Sequence, residues 1–472
     1  MKQFIFILSL IALAINLTAQ EKILISEIIF TGNNITKDYV LNRELEFEQF
    51  ETYKIEEFDK KIKSSKENLL NLKIFNFVEI SKKIIKNNDL IKKASITVKV
   101  TERWYVWPFP ILEISERNFN SWWQDFEGSN YSDFSRLNYG VFLNWENFRG
   151  RNELIKAKFR RGFKEHYLFY YQIPFLNKEK TIGLNICGQI FRKKKAYYIT
   201  DNNVLLYHHD ENYATKDLEL YSEIVYRKKI NQTHKLKMSY FKVEVSDSII
   251  IKNPNYLGVN LNTGSFYKLT YEYIFENRDY IIYPLDGFYI NFEANKFFQN
   301  NIPVNHYEFS GHLEQHIPIT NNIFLGSSVR GKVCSNEYQP YHIEEGFGFD
   351  DYVRGYEYYV INGQNNLLSK TAIKYALTKK KTFELPYIKM DQFKKSYFAL
   401  YLGIFSDLGY VDDNQNSDKN PLGNTLLWGN GISLDYVTYY DKLIRIEFSI
   451  NHLGEKGLFL HFSNPFGNKK KL

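Results

Sequence analysis

The sequence predicts a mainly β protein: one small α+β domain followed by a transmembrane antiparallel β-barrel. Three observations predict it. The 472-residue chain is 17% aromatic yet 24% charged, with a mean hydropathy of −0.41, which excludes both a multi-span helical membrane protein and a disordered chain. Beyond the first twenty positions no segment offers the ~20 consecutive apolar residues of a helical span. From Trp104 onward, apolar and polar residues alternate in stretches near the ~9 to 11 residues that a tilted membrane strand needs.

At the N-terminus, Lys2 precedes an apolar run from Phe4 to Leu17, and Thr18, Ala19 and Gln20 follow it. A basic start, a hydrophobic stretch of signal length and a small residue before the cut predict a signal peptide over residues 1–19. An uncleaved anchor fits less well, because the run is short and only polar sequence follows. No Cys stands at the cut to carry a lipid. The mature chain is expected to be exported.

Residues 20–102 form the small domain. Ile23, Ile25, Ile28 and Phe30 run as a strand into a turn at Thr31, Gly32, Asn33 and Asn34. Thr36 stands at an N-cap position before the stripe Tyr39, Val40, Leu41 and Leu45. A second helix fits Ile55 to Leu70, with Ile55, Phe58, Ile62, Leu69 and Leu70 on one face. Phe77–Ile85 and Ala94–Val100 alternate as two strands. This order, with Gly32-Asn33 after the first strand, Arg43-Glu44-Leu45 in the first helix and Phe75 before the second strand, resembles a POTRA domain, the periplasmic module of outer-membrane assembly factors. The resemblance implies that Phe77–Ile85 lies at the sheet edge, open to strand addition by a client. Lys82, Lys83 and Lys86 also suit an edge protected against indiscriminate pairing.

Residues 103–472 form the barrel. Phe288, Ile290, Phe292 and Ala294 oppose Tyr289, Asn291 and Glu293; Tyr267, Leu269, Tyr271, Tyr273 and Phe275 oppose Lys268, Thr270 and Glu272; Ile444, Ile446, Phe448 and Ile450 oppose Arg445, Glu447 and Ser449. Aromatics crowd the apolar faces and strand ends, as membrane girdles require and a soluble sandwich does not. About 370 residues over sixteen strands leave ~23 per strand with its connection, although twelve strands also fit. The polar stretches Asp201–Lys216 and Asp412–Asn420 read as surface loops. No helix-period segment is expected after Trp104.

The most informative run is Gly346-Phe347-Gly348-Phe349-Asp350-Asp351-Tyr352-Val353-Arg354-Gly355-Tyr356, whose glycines favour a loop of close backbone approach. Phe398, Leu400, Leu402 and Ile404 form one face of a later strand, which places Phe405 and Asp407 on the opposite, lumenal face. Val353-Arg354-Gly355-Tyr356 and Gly403-x-Phe405-x-Asp407-x-Gly409, in this order and spacing, resemble two motifs of the BamA/TamA superfamily. Asn147-Phe148-Arg149-Gly150-Arg151, Arg278 with Pro284 and Gly287, and Gly429–Tyr436 resemble further family patterns. The resemblance implies that the first motif tips a loop folded into the lumen, around residues 335–365, with Arg354 received by Asp407. A guanidinium lowered into a confined lumen needs a carboxylate, which Arg grips with two hydrogen bonds where Lys cannot. Asp435 shares that face and is an alternative partner. The chain departs from the family in ending at Phe466 followed by Gly467–Leu472, and in having a single POTRA-like unit.

The resemblance further implies an outer-membrane protein with its POTRA in the periplasm, which assembles, inserts or translocates client proteins. Outer-membrane lipid, nascent outer-membrane or secreted β-rich proteins and accessory lipoproteins are the implied partners. A two-partner-secretion-type export pore and a passive porin or structural barrel are the alternatives. No enzyme, cofactor or metal is expected. His312, Glu314 and His316 share a strand face, as a polar lumen face often provides, and His208 and His209 fall in a loop. No phosphate-binding glycine loop or nucleophile elbow occurs. A net charge of +7 with both signs interleaved gives no reason for a nucleic-acid partner, and Lys469–Lys471 reads as a solvated end. Cys187 and Cys334 lack any CxxC spacing and read as isolated side chains that an oxidising compartment would allow to pair.

Overall fold

The computed structural model describes residues 21–87, 91–114, 119–132, 137–302, 304–336, 338–464 and 466. The predicted signal peptide and the Lys469–Lys471 tail lie outside them. The chain forms two compact units, residues 1–103 and 104–472.

The first unit is a four-stranded sheet under two helices. Its elements are β1 (Lys22–Thr31), α1 (Asp38–Asn42), β2 (Thr52–Lys54), α2 (Ile55–Asn71), β3 (Phe75–Asn87) and β4 (Ile91–Glu102). The sheet order is β2-β1-β4-β3, with β1 and β4 parallel and the other pairs antiparallel. The two central strands bury Ile23, Ile25, Ala94, Ile96 and Val98, and α2 buries Phe58 and Leu69. Strand β3 is left at the edge, where the Lys82 ammonium lies 2.6 Å from Asp59. The sequence pattern hides the short β2 and extends the first helix too far. Thr36 is not its cap, since the Thr36 hydroxyl and amide both donate to the buried Glu102 carboxylate, at 2.5 and 2.7 Å. That long-range anchor competes successfully with local capping.

The second unit is a sixteen-stranded antiparallel sheet. Its early strands are β5 (Val106–Ile114), β6 (Leu137–Phe148), β7 (Glu153–Gly162), β8 (Lys164–Ile173) and β9 (Ile182–Lys193). A separate hairpin, β10 (Lys195–Asp201) and β11 (Val204–His209), precedes β12 (Thr215–Tyr226), β13 (Gln232–Val245), β14 (Thr263–Glu276), β15 (Gly287–Gln299) and β16 (Tyr307–Pro318). The sheet ends with β17 (Ile323–Cys334), β18 (Asn365–Glu384), β19 (Lys395–Asp412), β20 (Leu427–Thr438), β21 (Lys442–Asn451) and β22 (Lys456–His461).

Burial in this sheet is inverted relative to a soluble protein. On β21, Ile444, Ile446 and Phe448 are exposed while Arg445, Glu447 and Ser449 are buried; on β15, Phe288 and Phe292 are exposed while Tyr289 and Asn291 are buried. An apolar exterior around a polar interior is the signature of an outer-membrane-type barrel, in which lipid covers the exposed face. Among the described residues no helix is long and apolar enough to cross a membrane.

Two local expectations are corrected. Helices α3 (Phe119–Gly128), α4 (Asp247–Lys252) and α5 (Asp391–Lys394) interrupt the barrel connections; they are too short for a periodic stripe to stand out. Asp201–Lys216 is not simply a loop, because β10 and β11 turn at Asn202-Asn203 and carry His208 and His209 within the second strand. Polar composition hid this hairpin, since its core contacts come from distant loops rather than from its own alternation. Cys187 on β9 and Cys334 on β17 are both free thiols. Beyond β22 the fully buried Phe466 sits with Ala372 and Phe405 inside the barrel, its carbonyl accepting from Arg330.

Candidate functional site

Residues 335–364 connect β17 to β18 and, among the described residues and apart from one bridge between Phe347 and Ile361, form no ladder. The segment is held by side chains instead. Val353 is fully buried in a cluster with Phe347, Tyr356, Leu368, Val411 and Leu427. The Tyr356 hydroxyl donates to the Trp428 carbonyl at 3.3 Å and contacts His452. Gly355 has a φ of +95°, and its carbonyl accepts from the Asn451 amide at 2.9 Å. At the hairpin tip, Asn203 donates to the Val360 carbonyl and accepts from the Leu422 amide.

At the centre lies Arg354, 1% exposed. Its Nε and Nη2 donate to the two oxygens of Asp407 at 2.8 and 2.5 Å, and its backbone amide donates to the same carboxylate at 3.1 Å. The guanidinium carbon lies 3.8 Å from the centre of the Phe405 ring, within cation–π range. Each member of the strand motif on β19 therefore has a physical task. Phe405 stacks on the cation and Asp407 neutralises it. Gly409 leaves space, since a Cβ there would lie 2.4 Å from Val353 and 2.8 Å from the Phe347 ring. Gly403 makes room for Ser433, whose hydroxyl would be 2.4 Å from a Cβ.

Asp435 is not the partner of Arg354. Its carboxylate accepts from Arg445 at 2.7 and 3.2 Å and from the Tyr283 hydroxyl at 2.6 Å. A second bidentate pair thus stands beside the first, and Glu447 lies between them, 3.6 Å from Arg354 and 3.5 Å from Arg445. Sequence reasoning placed Arg445 and Glu447 on the lumenal face of their strand but gave neither a partner. Gly429 opens the late-strand pattern Gly429–Tyr436 but has no assigned role there; it pairs with Asp407, and a Cβ on it would fall 1.8 Å from the Arg354 carbonyl oxygen.

The strand group His312, Glu314 and His316 is occupied by a cation from the chain itself. Glu314 receives Arg278 at 2.7 Å, with His312 at 3.1 Å and His316 at 3.3 Å. Beside the loop the lumen keeps a cavity of about 450 Å³ whose lining includes Lys268, Glu293, Glu308, Arg330, Lys332 and Asp351. Charges of both signs suit a hydrated lumen rather than an apolar ligand pocket.

The loop also carries a pH-sensitive contact. Burial, together with the neighbouring Asp413, pushes the Glu344 carboxyl up to about 8, while Gln364 and Asn416 donate to it. A folded value above the unfolded one means that the docked loop binds the proton more tightly than the unfolded chain. The contribution is full below the ordinary carboxylate range and is lost as pH rises through about 8. Hydrogen exchange over residues 340–348, corrected for intrinsic rates, is expected to accelerate between pH 6 and pH 9 on the order of tenfold. Glu344→Gln is expected to flatten that dependence; an unchanged profile in the variant would show that another group controls it.

Residues 23–103 match the POTRA family, described as a surface antigen variable number repeat. No curated protein matches the sequence. Among solved structures, BamA from Haemophilus ducreyi lacking POTRA domains 1–3 is similar over 93% of this chain and 84% of that one, at 15% identity and a TM-score of 0.51. CdiB from Escherichia coli is similar over 94% of this chain and 75% of that one, at 11% identity and a TM-score of 0.52. These likenesses are likenesses of fold.

Proposed function

We propose that this protein belongs with the Omp85-type transport and assembly barrels of the bacterial outer membrane and inserts or assembles client β-barrel proteins there, a reading supported by a POTRA domain joined to a sixteen-strand barrel of the BamA and CdiB fold. The observation that carries the reading is the seam. Among the described residues no backbone ladder joins β5 to β22, the two ends of the sheet. Pro108 and Pro110 lie within β5 and have no N–H to offer a neighbour, which suits an edge strand. In lipid an unpaired strand edge is costly, so a seam that can lend its edge to an incoming strand lowers the barrier to that strand's insertion. The exposed edge β3 of the POTRA domain supplies a first docking place by strand addition. Arg354, held by Asp407, anchors the inward loop and keeps the lumen ordered; its role is structural and gating.

The CdiB likeness, as strong as that to BamA, supports a second reading, a two-partner-secretion pore that exports one protein. Depletion followed by quantitative outer-membrane proteomics separates the two. Loss of several unrelated barrels is expected. Loss of one secreted protein would establish the exporter, and loss of none a passive barrel.

A further inference from the structure

Turn 277–286 joins β14 to β15 at the end of the barrel where β5 begins, directly after the POTRA domain, and opposite the end from which the inward loop enters. It is ten residues long, whereas residues 149–152 and 319–322 suffice to join β6 to β7 and β16 to β17 at the same end. Outer-membrane barrels keep these turns short, because adjacent antiparallel strands need only a few residues between them. The extra length does not run out into solvent. Tyr283 is 3% exposed and sits in one cluster with Ala376 of β18, Tyr401 of β19, Val437 of β20 and Leu443 of β21. Those strands lie three to six places along the sheet from β15, so the turn reaches across the lumen from one wall to another.

Polar contacts fix the tip on that far wall. The Tyr283 hydroxyl donates to Asp435 at 2.6 Å, and its ring centre lies 4.7 Å from that of Tyr401. The Lys374 ammonium sits 4.1 Å from the centre of the Tyr283 ring and donates to the Pro284 carbonyl at 3.4 Å. The Tyr280 hydroxyl donates to Asp441 and lies 3.3 Å from the Tyr397 hydroxyl. Within the turn, the Asp279 carboxylate accepts from the Leu285 and Asp286 amides at 3.0 and 3.2 Å, and the Asp279 amide donates to the Asp286 carbonyl at 3.0 Å. At its base Arg278 donates to Glu276 and Glu314, at 2.7 Å each. The turn is thus braced by its own groups and rooted on the near wall. Swinging it away breaks its contacts with the far wall and leaves its own shape intact, which is how a lid moves.

We propose that turn 277–286 is a lid over the periplasmic end of the lumen. The inward loop enters the same lumen from the other end, so the two segments close it in series, and an open aqueous path needs both to move. A client that inserts through the seam leaves the lid shut, whereas an exported chain passing through the lumen has to displace it. The inference goes beyond the client-handling reading and holds for either route.

Ion conductance of the full-length protein in planar bilayers tests the lid by comparing wild type, Arg354→Ala, the lid variant Tyr280→Ala with Tyr283→Ala, and the combination of all three substitutions. Closures in series predict that the combined variant conducts about tenfold or more above Arg354→Ala alone, since current flows only when both segments are displaced. A second lid variant, in which a two-residue Asn-Gly turn replaces residues 279–286, removes the lid without leaving truncated tyrosines. It is expected to act likewise. Heat-modifiable gel migration checks that each variant is folded. Hydrogen exchange over residues 279–286 is expected to rise in Tyr283→Ala while residues 345–360 keep wild-type protection. Conductance no higher in the folded combined variants than in Arg354→Ala alone would overturn the proposal. So would an equal loss of protection over residues 345–360 in Tyr283→Ala, which would make the turn a brace of the lumenal network and not a lid.

Discussion

Arg354→Ala is expected to release the inward loop while the sixteen-strand sheet remains assembled. The substitution leaves Asp407, 0% exposed, as a buried carboxylate stripped of its bidentate cation. Breaking such a pair from one side costs about 3–5 kcal/mol, charged here against loop docking, because the strands are held by their own ladders. Protease cleavage and hydrogen exchange within residues 345–360 should rise by on the order of a hundredfold or more, the equilibrium equivalent of that energy. Heat-modifiable migration should persist. Arg354→Lys is expected to fail almost as badly, since an ammonium neither spans two carboxylate oxygens nor stacks on Phe405 as a planar cation does. Charge reversal sharpens the test. Arg354→Asp and Asp407→Arg should each impair client handling, and the double variant should recover part of it. Asp435→Asn should act on Arg445 instead and leave residues 345–360 protected. Conductance and client levels that survive Arg354→Ala unchanged would favour a passive barrel.

Gly429→Ala is expected to give the same phenotype without touching a charge. Gly429 pairs with Asp407 across the β19–β20 ladder, and the Arg354 carbonyl oxygen occupies the position a side chain would need, 1.8 Å from the added Cβ. Overpacking by a methyl group usually costs about 1–3 kcal/mol where neighbours can relax. Here the neighbour is backbone. The loop must withdraw, which also lengthens the Arg354–Asp407 hydrogen bonds. Gly311→Ala, on β16 four strands from β20, where an added Cβ meets nothing within 4 Å, is the control and should leave loop protection at the wild-type level. Equal protection in Gly429→Ala and Gly311→Ala would mean that the loop is not seated where these distances place it.

Much of this architecture was legible because strand patterning is local. The alternation of Ile444, Ile446 and Phe448 with Arg445, Glu447 and Ser449 assigns each residue to a face before any neighbour is known. The inverted burial of the same residues follows from the solvent being lipid outside and water inside. The loop motif and the strand motif were legible as two short strings in order. Short helices and the hairpin at Asn202-Asn203 were not, because their lengths are too small for a period to emerge and their partners lie far along the chain.

By itself, the sequence determined the division into an α+β domain and a barrel, the face on which each strand residue lies, and the residue types that a buried loop cation and its acceptor require. Only the tertiary structure decided who meets whom. Asp407 rather than Asp435 receives Arg354, Gly429 yields its space to the loop carbonyl, and Tyr283 reaches Asp435 across the lumen. The physical reason is that a period of two fixes direction within a strand, whereas the distance between lumenal side chains is set by strand register and barrel closure, which depend on the whole chain.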